Sequence, residues 1–210
     1  MQPAIVIAGI LGAILIGAMS PGPSFVLVAR TSIALGRRDG LAAALGMGIG
    51  GVVFGALALL GLQALLTRLA WLDAGLKLAG GAYLLYLAVR LWRGAGERIA
   101  MPTMAVPRTT TARRSFSLAL ATQLSNPKTA LFYGSVIATL LPGAPPSWLL
   151  AALPPLIFLV ETGWYAVVAL AFSTDRPRAA YLRAKSWIDR TASIVMAGLG
   201  LRLLFAAAER

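Results

Sequence analysis

An all-α, polytopic membrane fold is what this sequence predicts, and three observations predict it. Apolar residues run in six stretches long enough to cross a bilayer, charged residues collect between the stretches, and positive charge alternates from one connection to the next. Hydrophobic side chains make up 59% of the 210 residues and charged ones only 12%. That balance is too apolar for a water-soluble domain of this length. Residues 1–210 therefore read as a single membrane domain with no room for a separate soluble one.

A helical span needs roughly 20 apolar residues. The first stretch is 3–29. The chain's first basic residue is Arg30, and Pro21 would follow any cut after Ser20, so a retained helix is expected rather than a signal peptide. The turn "LGRRDG" leads to the second stretch, 40–66, which Asp39 is expected to cap. The third is 71–92, where Asp73 and Lys77 stand four residues apart and can pair on one helical face. Residues 93–115 carry Gly94, Gly96, Pro102, Pro107 and a run of three threonines, and read as a solvated linker. The fourth stretch is 116–141, the turn "LPGAPPS" follows, and the fifth is 148–172. The sixth is 191–208, with Asp189 as its expected cap, and no regulatory domain is expected after it.

Arg30, Arg37 and Arg38 follow the first span, six arginines from Arg90 to Arg114 follow the third, and Arg176, Arg178, Arg183, Lys185 and Arg190 precede the sixth. The opposite side has only Arg68, with Lys77, Arg202 and Arg210 near helix ends. By the positive-inside rule these heavily basic connections are cytoplasmic and both termini lie outside. Anionic lipid headgroups then account for the net charge of +12, with no nucleic-acid partner needed. The chain has no cysteine and no histidine. Disulfides, thiolate or imidazole metal sites and Ser-His-Asp catalysis are thereby excluded, and no cofactor is expected.

With three spans on either side of the linker, residues 1–92 and 116–210 would be repeats of opposite orientation. Each carries a break in its first helix: "SPGPS" at 20–24 and "QLSNPKTA" at 123–130. Proline removes a backbone N–H and clashes with the preceding turn, and lipid offers the freed carbonyls no partner. Paired breaks in matching helices therefore point to a transporter binding site facing a cavity. Helix N-termini suit a carboxylate and loose carbonyls suit an ammonium, the two ends of an amino-acid zwitterion. The expected substrate-binding residues are Ser20, Pro21, Gly22, Pro23 and Ser24 with Ser125, Asn126, Pro127 and Lys128.

Lys128 and Glu161 fall midway along the fourth and fifth spans, a depth at which ionisable side chains are rare and functional by default. They are expected to face each other or one cavity, as a proton-coupling site at Glu161 or as a static ion pair. Such a pair leaves no surplus negative charge, which disfavours basic substrates. Gly46 to Gly51 match GxGxxG, but no strand precedes them. Small-residue helix packing explains them better, between spans or across a homodimer. Trp71, Trp92, Trp148 and Trp187 lie at span ends as interfacial anchors, while Tyr83, Tyr86 and Tyr133 lie inside spans, where their hydroxyls need partners or a cavity.

The segments "SPGPSFVLVARTSIALGRRDGLAAALGMGIG", "LKLAGGAYLLYLAVRLWR" and "LSNPKTALFYGSVI", and less specifically "IDRTASIVMAGLGLRLL", occur in an order that resembles the LysE/RhtB family of bacterial amino-acid exporters. The resemblance covers essentially the whole chain. It implies an inner-membrane secondary exporter of amino acids or related small metabolites, driven by the proton-motive force. Pro21, Gly22 and Pro23 match the family's first motif, Asn126, Pro127 and Lys128 its second, and Tyr83 falls in the third-span motif. An uncoupled facilitator or channel is the alternative, distinguished by its inability to concentrate a solute. An intramembrane enzyme is disfavoured by the lack of paired carboxylates within the spans. A structural or sensory subunit would leave both broken helices unexplained.

Overall fold

The computed structural model describes residues 3–66, 70–97 and 111–208, and all regular structure among them is α-helical. The eight helices are α1 (Pro3–Met19), α2 (Pro23–Leu35), α3 (Arg37–Leu66), α4 (Ala70–Gly94), α5 (Ala112–Leu124), α6 (Pro127–Leu140), α7 (Ser147–Phe172) and α8 (Asp175–Ala208). By length and composition, three stretches among the described residues can cross a membrane: Arg37–Gly61, Ser147–Phe172 and Ala179–Ala208. The bent pair α1 and α2 makes a fourth if it is counted as one span. Exposed Leu45, Ile49, Val53 and Leu57 recur every fourth residue on α3, the pattern of a lipid-facing stripe.

Both expected breaks are real chain interruptions. α1 and α2 meet at 59° across Ser20, Pro21 and Gly22. Pro23 opens α2, where its missing N–H costs nothing because the first turn has no partner for it. α5 stops at Leu124, and α6 restarts with Pro127 at its first turn. Asn126 caps α6 by accepting from the Lys128 amide at 3.1 Å. Pro154 and Pro155 lie inside α7, yet that helix continues through them. A proline alone therefore does not set a break here; at the second break Asn126 also caps the restarting helix, whereas at the first Gly22 precedes α2 with no side-chain cap.

Two helix starts differ from expectation. α3 begins at Arg37, so Asp39 lies in its first turn rather than at its cap. There its carboxylate favours the positive helix end and accepts from Ser115 Oγ at 2.8 Å. α8 begins at Asp175, so Asp189 is an interior, buried helical residue and not the cap of a short sixth helix. Much of the expected basic connection is thus helix. Asp73 of the proposed Asp73–Lys77 pair, Trp71 and most of the linker, 98–110, lie outside the described side chains.

α4 packs chiefly on α8, and α3 on α7 and α5. One apolar cluster joins Ile10, Ile14, Leu84, Ile137, Ile157 and Met196; a second joins Phe25, Val28, Met47, Ala119, Val168 and Phe172. The glycines of α3 from Gly40 to Gly55 serve contacts within the chain. A Cβ on Gly46 would fall 2.5 Å from the Phe116 carbonyl oxygen, and one on Gly55 would fall 2.7 Å from Ile157 Cδ1. Small residues let these backbones approach closely.

Two of the carbonyls freed at the first break have donors. Trp164 Nε1 donates to the Ala18 carbonyl and Tyr181 OH to the Met19 carbonyl, each at 3.1 Å. These two are occupied by protein rather than loose. The Tyr181 ring also stacks on Phe25, with centroids 4.9 Å apart. Tyr181→Phe keeps that stack and removes only the hydrogen bond. The expected loss is about 0.6 kcal/mol, the average for interhelical hydrogen bonds in a membrane protein, measurable as a small fall in the thermal midpoint in detergent.

Candidate functional site

The two breaks meet. Ser24, in the first turn of α2, donates to Gln123 Oε1 at 2.5 Å and accepts from Asn126 Nδ2 at 3.0 Å. Residues from one break thus bond directly to the residues flanking the other. Gln123 Nε2 in turn donates to Glu161 Oε2 at 3.2 Å, and Tyr133 OH donates to Glu161 Oε1 at 2.9 Å. All five of these side chains are buried. Buried polar groups persist where the partners are complete, and both oxygens of Glu161 have a donor.

Lys128 does not pair directly with Glu161. Its ammonium donates to Ser20 Oγ at 3.2 Å, across the break from α6 to the end of α1. The ammonium lies against the first break: a Cβ added to Gly22 would be in ordinary contact with it, at 3.5 Å. Lys128 and Glu161 instead line one cavity of about 30 Å³, with Ser20, Ser24, Asn126 and Tyr133. That volume has room for about two waters, too little for an amino acid.

A second chamber, of about 860 Å³, adjoins it. Its walls include Pro21, Pro23 and Pro127 from the breaks, Tyr83, Tyr86 and Arg90 from α4, and Lys185 and Asp189 from α8. Gly22, Asn126 and Lys128 line both spaces and so form the partition between them. The chamber falls in the size range of small-molecule sites, about 300–1,000 Å³. Its rim carries exposed Arg90, Arg93 and Glu97. Four cationic side chains, Arg90, Arg93, Lys128 and Lys185, stand against two acidic ones, Glu97 and Asp189, a balance that attracts carboxylates.

Eight of the nine residues expected to bind substrate border these spaces. Ser125 does not: it is exposed and closes the end of α5. Sequence reasoning passed over Gln123, Lys185 and Asp189. Gln123 was visible as a polar residue inside an apolar stretch, the same signal that marked Lys128. The α8 pair was hidden because Asp189 looked like a cap. Tyr83 and Tyr86 line the larger chamber, and Tyr133 OH has Glu161 as its partner.

Residues 15–207 match the family described as LysE type translocator. The chain belongs to this family. As a LysE type translocator it is a multi-pass membrane transport protein and not an enzyme. It is 34% identical over 196 residues to the threonine efflux protein of Escherichia coli (strain K12), covering 90% of this chain and 93% of that protein. It is 33% identical over 197 residues to the threonine efflux protein of Salmonella typhi, with 90% and 93% coverage. A homoserine/homoserine lactone efflux protein of Salmonella typhimurium is 34% identical over 118 residues, 56% of each chain. No solved structure matches the chain.

Proposed function

We propose that this LysE type translocator exports amino acids, or closely related small metabolites, across the inner membrane of a bacterium by proton-coupled alternating access. The observation that carries the reading is the hydrogen-bonded meeting of the two broken helices, Ser24 with Gln123 and Asn126, beside a chamber large enough for an amino acid. The efflux relatives support the direction of transport, and threonine is the first substrate to test.

In this reading six spans form two inverted repeats, 1–92 and 116–210, joined by a cytoplasmic linker at 93–115. α5 and α6 together make the fourth span, and α4 the third. Both termini lie outside. Arg90, Arg93 and Lys185 then put the rim of the larger chamber on the cytoplasmic side, and the conformation is open to the cell interior. Ser20, Pro21, Gly22, Pro23, Ser24, Asn126, Pro127 and Lys128 contact substrate as it reaches the partition, with Lys128 as the carboxylate partner. Ser125 contributes by ending α5. Glu161 gains and loses the coupling proton behind the partition, shielded from the chamber until the halves rock.

Everted membrane vesicles test this. With a proton gradient, labelled threonine or another amino acid is expected to accumulate above its outside concentration, and an uncoupler is expected to abolish the excess. Equilibration without accumulation identifies a facilitator. Failure to move any amino acid contradicts the amino-acid exporter reading and leaves related small metabolites as the solutes to test.

A further inference from the structure

The larger chamber also borders a buried carboxylate on α8. Asp189 is 2% exposed and lies in the interior of α8. Lys185, one turn earlier, donates to its Oδ2 at 2.7 Å and to the Gly94 carbonyl at 3.0 Å. Asp189 Oδ1 has no hydrogen-bond partner among the protein groups. Among the described residues the other such buried side-chain oxygen is Thr162 Oγ1, which borders neither space. An unpartnered carboxylate oxygen in a buried place is costly. Its position beside a solute-sized space points to a donor that arrives from outside the protein.

Resting on the exporter reading above, we propose that Asp189 Oδ1 receives the ammonium group of the substrate. The chamber then selects solutes that carry both an ammonium and a carboxylate. Glu161 cannot take this part in the present conformation, because both its oxygens are engaged and its cavity is too small. Lys185 is a positioning residue: it fixes Oδ2 and leaves Oδ1 without a protein partner, so that a small turn of the buried side chain toward the chamber it borders presents Oδ1 to the substrate. Lys128 faces the same chamber with three ammonium protons, of which Ser20 takes one, and so can receive the substrate carboxylate. The two charges of an amino acid thus find opposite charges on α8 and α6.

The test uses purified full-length protein in proteoliposomes and competition against labelled threonine. The probes are unlabelled threonine and 3-hydroxybutanoate, the same molecule without its ammonium group. Wild type is expected to prefer threonine strongly. Asp189→Asn is expected to weaken threonine about tenfold to a hundredfold, the equivalent of one charge-assisted hydrogen bond. Affinity for 3-hydroxybutanoate should hold, so the preference collapses. Equal weakening of both probes, or an unchanged preference, overturns the proposal and leaves Asp189 a structural residue. Loss of uphill accumulation with unaltered threonine affinity also overturns it, assigning Asp189 to the proton. If Asp189→Asn does not fold, the wild type still decides: equal affinity for the two probes removes any ammonium site. If wild type moves another amino acid, that amino acid and its deaminated counterpart become the probes. If it moves none, the amino-acid exporter reading fails and this inference fails with it.

Discussion

Glu161→Gln is expected to abolish accumulation of substrate against its gradient while leaving downhill exchange intact. Gln matches Glu in size and keeps the same hydrogen-bonding reach toward Tyr133 and Gln123, so the buried seam between α5, α6 and α7 can stay closed. What it lacks is the ability to take up and release a proton. In everted vesicles the variant should bring labelled threonine only to the outside concentration, with or without a proton gradient. Accumulation equal to that of the wild type would remove Glu161 from the coupling step and reduce it to a structural acceptor. The variant's thermal midpoint, compared with that of the wild type, separates loss of coupling from loss of fold.

Gly46→Leu is expected to cause the largest structural loss of any single substitution considered. The α3–α5 contact at this point is backbone on backbone: an added Cβ would fall 2.5 Å from the Phe116 carbonyl oxygen and 3.0 Å from the Leu120 nitrogen. A flexible side chain can swing aside, but a helix backbone cannot, so α5 must move away from α3. Overpacking of this kind costs about 3 kcal/mol, at the upper end of the usual range. For a chain of this length that is a fall of about 6–12 °C in thermal midpoint, together with a loss of transport, because α5 carries Gln123. Gly12→Leu is the matched control, since an added Cβ there meets nothing within 4 Å. Equal midpoints for the two variants would contradict the close-packed account of α3.

The parts of this molecule that were legible in the sequence are those set by local chemistry. Apolar stretches gave the membrane character, and Pro21, Pro23 and Pro127 beside small polar residues gave both breaks. Their partners depend on how helices are rotated and staggered, and that information is spread over the whole chain. Depth alone suggested Lys128 for Glu161, whereas the fold delivers Tyr133 and Gln123 to the carboxylate and Ser20 to the ammonium. The start of α8 was misjudged because hydropathy reports where lipid begins, not where a helix does. Charged residues from 175 to 190 are as compatible with helix as apolar ones, and tertiary packing on α4 holds them so. The donors Trp164 and Tyr181, distant in sequence from the carbonyls they satisfy, left no local trace at all.

The central claim is that substrate binds at the seam of the two breaks, reached from the cytoplasmic side. The chain contains no cysteine, so a single introduced thiol reports without background. Val26 is a part-buried residue of α2 on the wall of the larger chamber. In Val26→Cys, a membrane-impermeant thiol reagent is expected to label the protein in everted vesicles and not in intact cells, and saturating substrate is expected to slow that labelling. Labelling from the outer side alone, or a labelling rate indifferent to every substrate the protein transports, would contradict the account.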